Sequence, residues 1–375
     1  MATPHPTPPH PTPPHSTPPH STTPHSTTQR PRPSAPRSVA IDPARVDLST
    51  RLASFELPDP VLTASGCAAA GRELAPFVDL RAIGAVVTKS IMLEPRSGRP
   101  TPRMAETPSG MLNSIGLQGP GVEAFVAKDL RWLRENGIRT VVSIAGGTVQ
   151  EYQKLAQRLR HEPGISAIEV NISCPNVESR GQVFACDPFS SHEVVQVVRR
   201  HTPSDVPVLA KLSPDVTDIV AIAKSVRAAG ADGVSMINTL LGMVIDPDTM
   251  RPMLGGMTGG LSGPAIRPVA VRAIWQVHAA MPDLPILGMG GIRTGRDAFE
   301  FVLAGASAVS VGTTVFNDPH ALARISAELR AILAERGIER LSDVVGLGHV
   351  MQARHVVAQA QRRTAQEAAQ EEALP

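Results

Sequence analysis

Eight short runs of β-branched or apolar residues constrain the fold of this chain more than any other feature. They are Val61–Ala64, Ala85–Thr88, Thr140–Ile144, Ile165–Val170, Val206–Lys211, Gly233–Ile237, Leu284–Met289 and Ala308–Val311. Helical patterns lie between most of them. Ile219, Ile222, Ala223 and Val226 share one helical face and are followed by Ala229-Gly230, a glycine stop. Leu322, Ile325, Leu329 and Leu333 make a second stripe. Strands alternating with helices predict an α/β fold, here a (β/α)8 TIM barrel with long loops at its carboxyl rim. A doubly wound sheet is the competing arrangement, but eight parallel runs in about 310 residues fit the barrel better. Ala229–Gly233 and Ala304–Ala308 read as tight helix-to-strand connections with glycine caps on the opposite, quiet face.

Three regimes divide the chain. Residues 1–41 are a Pro/His/Thr-rich tail in which His5, His10, His15, His20 and His25 recur every fifth residue. The tail has almost no apolar side chain to offset its ordering entropy, so it is expected to be disordered and without a catalytic role. Residues 42–355 form the catalytic barrel, and residues 356–375 the end of a C-terminal helix and tail. The tail lacks the apolar region of a signal peptide, and no run approaches the length of a membrane span. Net charge is +2 and aromatics are 3%, which argues against nucleic-acid partners. Cys67, Cys174 and Cys186 are too few and too scattered for a disulfide framework or an iron–sulfur cluster, and no metal site is expected. A reducing, cytoplasmic setting is the default expectation.

The gaps widen after runs two, four and six, so the loops Lys89 to Phe125, Ile172 to Ser190 and Asn238 to Gly263 are where a barrel would place chemistry. Nearly every run also ends in polar or glycine-rich residues: Ser65-Gly66, Lys89-Ser90, Asn171, Lys211-Leu212-Ser213, Asn238-Thr239, Gly290-Gly291 and Gly312-Thr313. Seven such ends on one rim predict a ligand site. The glycines after runs seven and eight, with the amino ends of the helices that follow, suit a phosphate. A phosphate-bearing cofactor beside two rim lysines suits a flavin, with the Lys211 ammonium stabilising the anionic reduced ring. Lysine is scarce, five against 31 arginines, so a lysine at a strand end is itself a signal.

Cys174 stands in the loop Asn171-Ile172-Ser173-Cys174-Pro175-Asn176-Val177, between two carboxamides. No histidine lies in the motif-like stretches of the folded part, so Cys174 is the first candidate for a base that abstracts a proton. Cys67 and Cys186 read as small packing residues. The stretch Glu94 to Leu117 is too long for a plain connection, and its Met111, Leu112, Ile115 and Leu117 argue for an ordered loop that binds substrate and shields the site. Asn113, Asn171, Asn176 and Asn238 offer donor and acceptor together, which suits a pyrimidine-like ring.

These stretches resemble the dihydroorotate dehydrogenase family, class 1, and within it the type 1B catalytic subunit. The resemblance runs from about Ala53 to His349 and rests on Leu93–Arg96, Glu106–Gln118, Asn171–Val177, Lys211–Pro214, Ile237–Gly242, Thr258–Ala265 and Gly288–Ile292. It implies oxidation of (S)-dihydroorotate to orotate in pyrimidine biosynthesis, with one FMN per chain. By resemblance, Cys174 takes the C5 proton while a hydride passes from C6 to the flavin. FMN positions are Ser65, Lys89, Ser90, Ser143, Asn171, Lys211, Ile237, Gly263, Gly290, Gly291, Gly312 and Thr313. Substrate positions are Lys89, Asn113, Ser114, Ile115, Gly116, Leu117, Asn171, Asn238 and Thr239. Class 2 relatives carry a serine base and a membrane helix, and Cys174 and the missing helix both point away from them.

Ser143 departs from the family's asparagine at the end of strand three, and Arg99 and Gly119 replace commoner asparagines. Type 1B relatives pass electrons to a partner subunit with FAD and a 2Fe–2S cluster and so to NAD+. Type 1A relatives use fumarate. The motifs favour 1B, as a homodimer or heterotetramer. A dihydropyrimidine dehydrogenase-like enzyme is opposed by Asn176-Val177, and a flavin-binding scaffold by the retained Cys174, Lys89 and Lys211.

Overall fold

The computed structural model describes residues 39–172 and 187–372. Eight strands form one parallel sheet: β1 (Val61–Thr63), β2 (Val86–Val87), β3 (Thr140–Ile144), β4 (Ala167–Asn171), β5 (Val208–Leu212), β6 (Gly233–Met236), β7 (Ile286–Met289) and β8 (Ala308–Val311). Neighbours follow the order β1-β8-β7-β6-β5-β4-β3-β2. The two ends then meet. Gly84 N–H donates to the Val61 carbonyl at 2.9 Å, and Thr63 N–H to that of Ala85 at 3.2 Å. The Thr63 hydroxyl accepts from Val87 N–H at 2.8 Å and donates to the Val87 carbonyl at 3.2 Å, standing in for a backbone ladder. The barrel expected from the eight runs is therefore closed.

Each run became a strand, with small shifts at the ends. β5 and β7 begin two residues later than expected, just after Pro207 and Pro285, which carry no N–H for the ladder. Helix Ile219–Ala228 buries Ile219, Ile222, Ala223 and Val226, and Asp218 caps its Val220 and Ala221 N–H groups. Gly230 follows at φ 98°, the left-handed stop the sequence announced. Between β1 and β2 there are turns rather than a helix, filled by Leu74, Val78 and Leu80.

Two additions were not anticipated. A hairpin, Thr50–Leu52 with Phe55–Leu57, sends Leu52, Phe55 and Leu57 into one apolar cluster with Leu62, Val87, Val141, Leu209 and Leu287. It plugs the amino-terminal end of the barrel. At the other end, the long excursions after β2 and β6 pair with each other. Met104–Thr107, Gly110–Asn113, Gly259–Ser262 and Leu240–Gly242 make a four-stranded antiparallel sheet, with Asn113 opposite Gly260 and Leu112 opposite Leu261. The shielding loop expected over the site is thus half of a two-part cap. Among the described residues no helix is long and apolar enough to cross a membrane.

Candidate active site

The inner wall of the barrel changes character along its axis. Below lies the apolar plug. Above it, Ser143, Glu169, Lys211, Ser235 and Ser310, from β3, β4, β5, β6 and β8, are all buried. Strand register sets Ser143 beside Glu169 and Lys211 beside Ser235. The Glu169 carboxylate, 0% exposed, accepts from the Ser143 hydroxyl at 2.9 Å and the Ser235 hydroxyl at 2.8 Å. The Lys211 ammonium lies 3.5 Å from the same carboxylate. A buried ion pair with added hydrogen bonds compensates the desolvation of both charges. Glu169 escaped the sequence reading because it lies inside an otherwise apolar run. A carboxylate within a predicted interior strand was the available signal.

On this polar floor stands a cleft with two lobes that share Ser65, Cys67, Lys211, Asn238, Thr239, Ser262 and Thr313. The front lobe, about 180 Å³, is lined by Lys89, Ser90, Asn113, Ile115, Gly116, Leu117 and Asn171. The deep lobe, about 80 Å³, is lined by Ile237, Gly263, Gly290, Gly291 and Gly312. The structure therefore brings together the polar strand ends picked from sequence. Ser114 and Ser143 stand behind the wall: Ser114 accepts from Arg99 at 3.3 Å, and Ser143 is engaged with Glu169 and Ser90. Cys174, Asn176 and Cys186 lie outside the described residues. Cys67, read as a packing residue, lines both lobes.

Local chemistry holds the walls in place. Arg96 donates to the Gly116 carbonyl at 2.9 Å and exchanges both backbone hydrogen bonds with Gly119. The Arg99 N–H donates to the Ile115 carbonyl at 3.1 Å. Two departures from the family pattern, Arg99 and Gly119, are thus built into the loop's anchorage. Asn113 donates to the Gly260 carbonyl at 3.3 Å and joins the two halves of the cap. The Thr313 hydroxyl donates to Ser262 at 2.8 Å and ties the cap to the end of β8. Burial pushes the Cys67 thiol up to about 11, against the pull of the Lys211 and Lys89 ammoniums. Burial also raises the Asp215 carboxyl, while the Leu241 N–H and Ser213 hydroxyl hold it down.

The deep lobe fits a phosphate-bearing group. Gly291, at φ 83°, leaves no room for a side chain: a Cβ would stand 2.7 Å from the Gly263 carbonyl oxygen. The Ser310 hydroxyl opens on this lobe, is buried, and has no partner among the described residues. One expectation changes. The helix after β7, Gly295–Ala304, is closed by its own capping box of Thr294 and Asp297, so its amino end is already satisfied. The glycine turns and the amino end of Thr314–Asn317 after β8, which has no side-chain cap, are left to receive an anion.

A closed (β/α)8 barrel with a capped, polar-floored cleft at the carboxyl rim defines a barrel of the enzyme type. The family model for dihydroorotate dehydrogenase matches residues 47–333. A relative from Desulforudis audaxviator (strain MP104C), "Dihydroorotate dehydrogenase B (NAD(+)), catalytic subunit", is 52% identical over 81% of this chain and 98% of its own length. Relatives of the same description from Geobacter sp. (strain M21) and Anoxybacillus flavithermus (strain DSM 21510 / WK1) are 49% and 50% identical. Each of these two spans 80% of this chain, with 98% and 95% of its own length covered. The chain belongs to the dihydroorotate dehydrogenase family.

Proposed function

We propose that this chain oxidises (S)-dihydroorotate to orotate in UMP biosynthesis, as the catalytic subunit of an NAD+-linked enzyme. The observation that carries this reading is the identity of about half over four-fifths of the chain with catalytic subunits of that description. The two-lobed cleft supports it. FMN, when bound, supplies the acceptor for the C6 hydride. The glycines at 263, 290, 291 and 312 and the Ser310 hydroxyl would hold its phosphate-bearing arm, and Lys211 its ring edge. Asn113, Asn171 and Asn238 would orient the substrate ring with donor and acceptor together, and Lys89 would supply the cation for its carboxylate. Cys174 would take the C5 proton. The cap excludes water from that exchange. A partner subunit carrying FAD and a 2Fe–2S cluster would relay the electrons to NAD+.

The test is anaerobic mixing of the purified flavoprotein with dihydroorotate. Bleaching of the flavin absorbance supports the reading, and an FMN-loaded protein that stays oxidised rejects the substrate. Cys174→Ala should keep FMN and lose rapid bleaching. Turnover with fumarate by this chain alone would overturn the partner-linked acceptor.

A further inference from the structure

The Glu169 carboxylate sits at the head of a hydrogen-bond chain that reaches the cleft. As a carboxylate it only accepts. Ser143 has one proton, and it goes to Glu169 at 2.9 Å. The Ser143 oxygen must then accept from Ser90, 2.8 Å away. With its own proton spent, the Ser90 oxygen accepts in turn, from the Asn171 side-chain N–H at 3.0 Å and from the Ser65 hydroxyl at 3.2 Å. Every direction is fixed from the buried end. Amide and hydroxyl orientation is otherwise free to follow whatever ligand arrives.

We propose that Glu169 is a positioning residue that sets the hydrogen-bond polarity of the cleft wall through Ser143 and Ser90. Ser65 commits its hydrogen inward and Asn171 one of its two amide hydrogens, and Asn171 Oδ1 accepts from the Asn238 amide nitrogen 3.5 Å away. The Ser65 oxygen is thereby left as an acceptor on the cleft. That one position suits a ligand N–H or hydroxyl and disfavours a carbonyl oxygen there. This rests on the function proposed above. The Lys211 pair gives Glu169 a second task, so a test must separate the two. Ser143 does this, since it touches the chain and not the lysine.

The experiment uses the holoenzyme and reads FMN affinity by flavin fluorescence after reloading. Ser143→Ala frees the Ser90 proton and should weaken FMN about tenfold, the worth of one well-made hydrogen bond. Ser143→Thr keeps the hydroxyl and should restore affinity. Glu169→Gln keeps the shape and loses the fixed direction, so adding Ser143→Ala to it should cost nothing further. Wild-type affinity in Ser143→Ala, equal weakness in Ser143→Thr, or an undiminished loss in the Glu169→Gln background would each overturn the relay. A titration of the wild-type holoenzyme with orotate, read from the flavin spectrum, runs beside these. If orotate fails to bind while the FMN pattern holds, the relay stands and the dihydroorotate reading falls.

Discussion

Cys67 gives the sharpest test of how the cleft treats a thiol. Its Sγ lines both lobes, within 3.2 Å of where a Cβ on Gly312 would stand. Burial moves its titration from 9.0 to about 11 despite two nearby ammoniums. A rise of that size leaves about a hundredfold less thiolate at pH 8, and the thiolate is the reactive form. Cys67 in the native protein should therefore alkylate with iodoacetamide about a hundredfold more slowly than in the unfolded chain. Peptide mass mapping over a time course measures it. The native rate should climb about tenfold per pH unit until close to pH 11, as the thiolate fraction does. Native labelling within a few-fold of the unfolded rate at pH 8 would refute the argument. The same rise makes Cys67 a poor base near neutrality, so Cys67→Ser should leave flavin reduction by dihydroorotate nearly unchanged.

Two further outcomes concern stability. Lys211→Met leaves the Glu169 carboxylate buried with two serine hydroxyls and no cation, which should cost about 3–5 kcal/mol in urea unfolding; a loss under about 1 kcal/mol would mean the pair is not a structural tie. His278 lies between Gly305 and Gly346, with the His349 ring 4.9 Å away, and burial followed by that neighbour lowers its imidazole below the ordinary 6.5. The unfolded chain therefore takes up the proton first. The stability from this site is complete above about pH 6.5 and is lost as pH falls below it. His278→Phe should flatten the decline of Tm between about pH 7 and pH 5, and an unchanged slope would show that another group governs it.

The barrel was legible because its strands announce themselves locally. Thr140–Ile144 is buried on both faces and β-branched at every position but Ser143, so its bounds are legible from the sequence. The rim was legible because Lys89, Asn171 and Lys211 interrupt apolar runs where a strand must end. The cap sheet was not, since Asn113 finds Gly260 at a separation of 147 residues, and Gly259-Gly260-Leu261-Ser262 has little strand propensity of its own. The plugging hairpin was missed for a related reason: its strands are three residues long and carry Arg51 and Glu56 at their centres. Glu169 is illegible because it hides in an apolar strand, and Cys67, read as a packing residue, proves also to line the cleft. Only the folded wall shows what each faces.

The pairing of two distant excursions into one cap has a mechanical consequence. Met104–Asn113 and Leu240–Ser262 share a ladder, a hydrogen bond from Asn113 to Gly260, and a small core of Ala105, Leu112 and Leu254. Neither excursion can lift alone without breaking that ladder. The roof therefore behaves as a single plate anchored at two strand ends, β2 and β6, and admission to the front lobe is one cooperative event rather than the wandering of two independent loops. A displacement of Asn113 is felt at Thr239 through the plate, because Gly260, the partner of Asn113, packs directly against the Thr239 side chain.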